Sequence, residues 1–340
     1  MINLKDYQQQ PLSNHNKHHL NVDALDDDHK HAIVPRLTFV EYDNAFLTPI
    51  NHLYIKGVYV ASGLITTFDD KRLSLFKKWY LFIKFKLFYK SQKHLGIFIW
   101  TYDHWSTNYY HWMCETLPRI LKLAKNFAQA TVILPESFKN YSYIEKSLGI
   151  LDINPLWITA DASHSFQKLV TTDTNPRWGN VIPELQIALK NELFSKLDIP
   201  ADAPGIKKIY ISRANASYRK ITNEQSIIGV LSKLGYEILY TEKLDFEEQI
   251  RKFSKAKIII ALHGAGLTNL MFLPKEAFAV EIRHQDWTVN PLCFWRLANI
   301  FDVKWQYLTF ASLRHTNFSD LTIDLKAFES FINKFEDDAR

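Results

Sequence analysis

Residues 257–262 read Lys-Ile-Ile-Ile-Ala-Leu, and His263, Gly264, Ala265 and Gly266 follow at once. An apolar run of this kind lacks the alternation of a half-buried strand. It belongs in a parallel sheet covered on both faces. The neighbouring segments agree. KKIYIS (207–212), YEILYT (236–241), FAVEIR (278–283) and VKWQYLT (303–309) read as strands. Between them, 223–234, DFEEQIRKFSKA (245–256), GLTNLMF (266–272), PLCFWRLANIF (291–301) and 324–335 read as helices. Gly235 fits a helix C-cap, and Asp245 an N-cap followed by an acidic first turn. Strands alternating with helices define a doubly wound parallel sheet.

A chain of 340 residues, 47% hydrophobic, is too long for one ordinary core and suffices for two. Upstream, 33–42, 52–62, 64–68 and 96–102 read as strands. They precede a helix from Asn108 to Ala124, the strand TVILP (131–135), a helix over 141–148, and strands at PLWIT (155–159) and KLVTT (168–172). The expected organisation is a polar flexible tail (1–30), a first α/β domain (31–180), a linker helix and loop (181–204) and a second α/β domain (205–340). The tail carries His15, His18, His19, Asp26, Asp27 and Asp28 and buries little.

The net charge of +5 is mild and suits an anionic small ligand or lipid surface better than nucleic acid, for which no motif is present. Cys114 and Cys293 stand far apart and outside any CxxC, as in a reducing compartment. No apolar leader and no run of 18 apolar residues is visible. A cytoplasmic protein is expected, and the sequons at Asn140, Asn215 and Asn317 read as chance. Residues 75–90, LFKKWYLFIKFKLFYK, fit either a core helix or strand pair with snorkelling lysines, or a peripheral contact with an anionic membrane.

In a doubly wound sheet, ligands bind at the carboxyl ends of the strands. Three groups fall there. Arg213 follows the first strand of the second half, with Arg219 beyond it, and arginine forks pair with phosphate oxygens. His263-Gly264-Ala265-Gly266 joins a strand to a helix start. There a missing Cβ permits close approach, backbone N–H groups favour an anion, and Thr268 and Asn269 add polar groups. Glu281 could accept from ribose hydroxyls. In the first half, His111 and Glu115 stand four apart at a helix start, as a general base with its orienting partner would.

These segments together resemble glycosyltransferase family 61. The run KIYISRANASYRKITNE, then LGYEILYTEKLDFEEQIRKFSKAKIIIALHGAGLTNLMFLP, then AVEI, matches its nucleotide-binding half; NYYHWMCETLPRIL resembles its N-terminal signature. The resemblance implies two Rossmann-like domains of GT-B type facing each other across a cleft. It implies inverting transfer from a nucleotide sugar, UDP-linked in our reading, to a glycan or lipid-linked hydroxyl. It assigns Arg213, His263, Gly264, Gly266, Asn269 and Glu281 to the donor site, and His111 and Glu115 to the N-terminal signature. We expect Glu115 as the base and His111 on the donor. With no leader in view, a bacterial-type enzyme of cell-surface polysaccharide synthesis is expected. No obligatory metal is expected either, since the only Asp-x-Asp lies at 26–28. The rival readings are a catalytically dead nucleotide-sugar binder, a hydrolase, which lacks G-x-S-x-G, and a dinucleotide oxidoreductase, which lacks G-x-G-x-x-G.

Overall fold

The computed structural model describes residues 37–59, 74–172, 181–201, 203–284, 292–310 and 319–338. The expected tail, the expected strand at 64–68, Trp178-Gly179 and Asn317 lie outside the described residues. The chain divides into two compact units. One holds residues 34–177 and 184–196; the other holds 178–183 and 197–340 together with 1–33. The helix expected as a linker, α4 (Pro183–Lys196), therefore clusters for most of its length with the first unit.

In the first unit a seven-stranded mixed sheet runs β3-β2-β1-β7-β4-β5-β6. Its antiparallel edge is β3 (Val58–Tyr59), β2 (Leu53–Ile55) and β1 (Phe39–Leu47). Its parallel part is β7 (Ala162–Thr172), β4 (Lys90–Ile99), β5 (Thr131–Pro135) and β6 (Leu156–Ile158). β4 starts well before the strand read from GIFIWTY. Its polar first half shows no apolar alternation, and its ladder with β7, from Lys90 opposite Ala162, holds it extended.

Helix α1 (Leu75–Phe88) is capped by Ser74, whose Oγ accepts from Lys77 N at 3.2 Å. Phe85 is its only buried residue, so α1 is not the core helix that composition allowed.

The helix expected from Asn108 to Ala124 is composite. A turn at Tyr109–His111, capped by Asn108, passes into a π-helical stretch, Trp112–Thr116, and then into α2 (Leu117–Asn126). Pro118 accounts for the break. It has no N–H for the carbonyl of Cys114. Gln186 of α4 supplies that donor instead, Nε2 to Cys114 O at 2.7 Å. α3 (Ser142–Ile150) completes the helices of this sheet.

The second unit is a five-stranded, all-parallel sheet in the order β12-β11-β10-β8-β9. Its strands are β8 (Lys207–Ile211), β9 (Glu237–Leu239), β10 (Ala256–Leu262), β11 (Phe278–His284) and β12 (Lys304–Phe310). The helices are α5 (Glu224–Lys233), α6 (Phe246–Phe253), α7 (Cys293–Ile300) and α8 (Leu325–Asp338). Ile258, Ile260 and Leu262 of β10 join Ile227 and Leu231 of α5 and Phe328 and Ile332 of α8 in one core. Ile259 and Ala261, also buried, take the opposite parity. Each such side chain contributes roughly 1.5–3 kcal/mol on burial, which explains the unbroken apolar run. α6 starts with a full capping box: Asp245 Oδ1 accepts Glu248 N at 2.7 Å, and Glu248 Oε2 accepts Asp245 N at 2.9 Å.

Candidate functional site

Numbered from β8, the second sheet has the order 2-1-3-4-5, so its topological switch point lies between β8 and β10. Arg213 leaves the end of β8, and His263 and Gly264 leave the end of β10. Two segments 50 residues apart in sequence are thus brought to one crevice by sheet order alone.

Arg213 is held in place by carbonyls: Nε donates to Arg219 O at 3.0 Å and Nη2 to Tyr218 O at 3.1 Å. Its Nη1 lies against Gly264, where a Cβ would stand 2.2 Å from it. Arg219 has a left-handed φ of 56° and sends Nη1 to His263 O at 3.3 Å. Burial lowers both guanidinium pKa values; for Arg213 the charge of Arg219 adds to the effect, whereas for Arg219 the neighbouring Tyr218, Cys293 and Glu281 oppose it. Two cations crowded at a switch point, with Arg213 bound to carbonyls rather than a carboxylate, form a seat for an anion. Glu224, at the start of α5, anchors the strand end, its Oε1 accepting Arg213 N at 3.1 Å and Tyr210 OH at 2.8 Å.

His263 is nearly buried, and its Nδ1 pairs with Glu281 Oε1 on β11. The second carboxylate oxygen accepts Trp305 Nε1 at 3.0 Å, and Arg283 Nε lies 3.5 Å from the first. Burial alone would raise the Glu281 carboxyl, but Arg283 and His263 outweigh it and hold it below its ordinary range. Burial lowers His263, against the pull of Glu281. The pair is therefore a carboxylate accepting from Nδ1–H of a neutral imidazole, which leaves Nε2 as the ring's second polar atom. Glu281 has no exposed surface. It positions His263 and does not present an acceptor to a ribose as the sequence led us to expect.

Gly264 is followed by a 3-10 helix over Ala265–Phe272, not the α-helix expected from GLTNLMF. Thr268 and Asn269 point inward, both without exposed surface. Asn269 Nδ2 donates to Gln249 Oε1 at 3.1 Å and to Gly266 O at 3.2 Å. Gln249 in turn donates to Thr241 O at 3.1 Å. The Asp-Phe-x-x-Gln helix and the His-Gly-Ala-Gly loop thus meet through one amide pair, and Asn269 holds the loop instead of lining it, while Thr268 Oγ1 is buried with no hydrogen-bond partner among the described residues. Gly266 packs against Ile211, where a Cβ would come within 3.2 Å of Cγ2.

At the carboxyl end of β4, the first unit holds its own polar cluster. His111 Nδ1 and Glu115 Oε2 are 2.8 Å apart. Glu115 is 3% exposed on its side chain and His111 27%, so the imidazole is the reachable member. Desolvation raises the Glu115 carboxyl, opposed by the bond to His111. Its Oε1 is buried with no hydrogen-bond partner among the described residues. Arg119 is fully buried beside it. Its Nε donates to Glu115 O at 2.6 Å, its Nη2 to Thr101 O at 2.7 Å and its Nη1 to Thr172 Oγ1 at 3.3 Å, tying the helix start to the ends of β4 and β7. Asp103 is occupied in a turn, with Oδ1 accepting Trp105 N at 2.8 Å.

The order of the second sheet, with cations and a glycine loop at its reversal, places that unit among the doubly wound α/β folds that bind ligands at a switch point. The profile of the Glycosyltransferase 61 family matches residues 109–280, from the His111 turn to β11. The chain belongs to that family. It is 27% identical over 164 residues to an EGF domain-specific O-linked N-acetylglucosamine transferase of Drosophila melanogaster, covering 43% of this chain and 31% of that protein. A protein of the same description from Gallus gallus is 32% identical over 127 residues, 35% of this chain and 24% of its own. A beta-1,2-xylosyltransferase of Oryza sativa subsp. japonica is 24% identical over 188 residues, 53% of this chain and 31% of its own. The chain spans about a quarter to a third of the length of these relatives.

Proposed function

We propose that the chain is an inverting glycosyltransferase of GT-B class, moving a sugar from a UDP-sugar to a hydroxyl of a glycan or lipid-linked acceptor in cell-surface polysaccharide synthesis. The relatives' names favour N-acetylglucosamine or xylose as the sugar. The observation that carries the reading is Arg213 laid over Gly264 at the switch point, with Arg219 and His263 beside it. These groups would take the diphosphate and stabilise the charge that develops on it as the bond to the anomeric carbon breaks. The acceptor oxygen forms the new bond from the opposite face and gives up its proton to a base. Because Glu115 is buried and His111 is reachable, we assign the proton to His111 Nε2 and the orienting role to Glu115, reversing the order the sequence favoured. No divalent cation is needed where two guanidiniums face the leaving group. We place the reaction on the cytoplasmic side, where Cys114 and Cys293 would stay free thiols.

Calorimetry with UDP in the presence of EDTA tests this. Wild type should bind, and Arg213→Ala should bind roughly ten- to a hundredfold more weakly, the loss of about 1.5–3 kcal/mol typical of a hydrogen bond to a charged group. Unchanged affinity in the variant removes Arg213 from the site. Binding that vanishes with EDTA and returns with manganese overturns the metal-free reading.

A further inference from the structure

The first unit contains a cavity of about 600 Å³ that neither His111 nor Glu115 touches. It opens where β1, the β2–β3 turn, α1, β4 and β7 converge. Phe46, Tyr54, Phe82 and Phe166 give it an aromatic lining. The Phe46 and Phe82 rings meet edge to face at 5.6 Å, and His94 stacks on Phe166 at 4.9 Å and 17°, which makes one wall flat. Lys56, Lys86 and Lys93 also line it, from three different elements. Lys56 is carried by a two-residue turn whose φ values, 50° at Lys56 and 80° at Gly57, are both positive, as a type I′ hairpin requires. Lys86 Nζ lies 5.2 Å from the Phe82 ring. Among the described residues no Asp or Glu lines the cavity, and none of the three lysines forms an ion pair with another described residue.

Aromatic faces with a few convergent polar groups accept a ring, and three ammonium groups with no carboxylate beside them among the described residues raise the local concentration of an anion. We infer that this cavity binds a sugar ring carrying a negative charge, a uronate carboxylate or a sugar phosphate. On the glycosyltransferase reading, on which this role rests, that ring is a residue of an acidic acceptor glycan held apart from the sugar being transferred. The aromatic wall would take the C–H face of the ring, and the lysines its anion.

Saturation-transfer NMR on the full chain tests this with three probes that share one ring: glucose, glucuronate and glucose 6-phosphate. UDP is kept saturating so that the Arg213 site is occupied. One or both anions should bind at least tenfold more tightly than glucose, and the better of the two identifies carboxylate or phosphate as the recognised group. The triple variant Lys56→Gln, Lys86→Gln, Lys93→Gln should bring the anions to the level of glucose. Phe82→Ala should weaken every probe that binds. Equal binding of glucose and both anions, no binding of any probe, or anion binding indifferent to the triple variant overturns the inference. A parallel UDP titration keeps the two readings apart. Lysine-dependent anion binding without UDP binding sinks the glycosyltransferase assignment and leaves the cavity site. UDP binding without lysine-dependent anion binding sinks the cavity site alone.

Discussion

Gly264 has φ 167° and ψ 173°, extended backbone that any residue adopts, so its glycine is not required by the chain's conformation. What requires it is Arg213 Nη1, 2.2 Å from where a Cβ would stand. A guanidinium is the far end of a flexible side chain and can swing away. Gly264→Ala should therefore cost no more than about 1 kcal/mol of stability, the centre of the range for single substitutions, yet weaken UDP about as much as Arg213→Ala. Calorimetry beside a melting curve reads both, and a variant that melts early while binding UDP normally would contradict the placement of Arg213. Glu115 poses the converse case, a residue whose charge costs stability. Its carboxyl is raised by desolvation, so the folded state holds that proton more tightly than the unfolded chain does. Stability from this group is full below the unfolded value, near pH 4.3, and declines as pH rises through the folded value. Glu115→Gln should therefore melt higher than wild type at pH 7.5, with the gap closing as pH falls towards 4. Its turnover should fall roughly a hundredfold or more, because His111 loses the carboxylate that fixes its tautomer. A Gln variant that melts below wild type at pH 7.5, or turns over normally, would refute the assignment.

Elements here are tied together by polar groups that no single segment announces. β10, β11 and β12 meet at Glu281, which takes His263 from the end of one neighbour and Trp305 from the other, with Arg283 two residues along its own strand. All of Glu281 and Arg283 is buried. Removing the charge of one partner leaves the other uncompensated, and Glu281→Gln should cost about 3–5 kcal/mol in urea unfolding at pH 7. The folded carboxyl is depressed, so its contribution is present above the unfolded value and is lost as pH falls through the folded one. The deficit of the variant should accordingly shrink below about pH 4. A constant deficit from pH 7 to acid would show that shape, not charge, is lost. The π-helical stretch before α2 is the other such element. The sequence reads as one continuous helix over 108–124, although Pro118 lacks the donor that such a helix needs there; that the orphaned Cys114 carbonyl is met by Gln186, from α4, follows only from packing.

At the scale of the whole molecule, α1 bears on where the protein works. No helix among the described residues is long and apolar enough to cross a membrane. α1 nevertheless exposes Leu75, Phe76, Trp79, Tyr80, Leu87 and Phe88 beside Lys77, Lys78 and Lys84, without one acidic residue. Such a mixture favours the interface of an anionic bilayer. The protein should sediment with phosphatidylserine-containing vesicles and less so with neutral ones, and changing Lys77, Lys78 and Lys84 to Gln should release it. Equal sedimentation of the variant, or none of wild type, would make α1 a purely structural helix. The alternation of strands and helices over 205–340 was legible because burial on both faces of a parallel sheet imposes apolar strands and amphipathic helices locally. The positions of Arg213 and of His263-Gly264 at strand ends were legible for the same reason, since each lies one or two residues past a strand that the apolar pattern bounds. The ligand-facing direction of side chains was not. Thr268, Asn269 and Glu281 read as site residues by position, and the fold turns all three inward. Gln249, Glu224 and Arg283 brace the cluster of the second unit, Arg119 braces that of the first, and none of them carried a local signal beyond its type. Local sequence determined which segments become strands and helices, because periodicity and capping act over a few residues. Only the tertiary structure decided that β8 and β10 lie side by side. Sheet order is set by which strands bury each other's edges, and that pairing is what laid a guanidinium over a glycine 51 residues away.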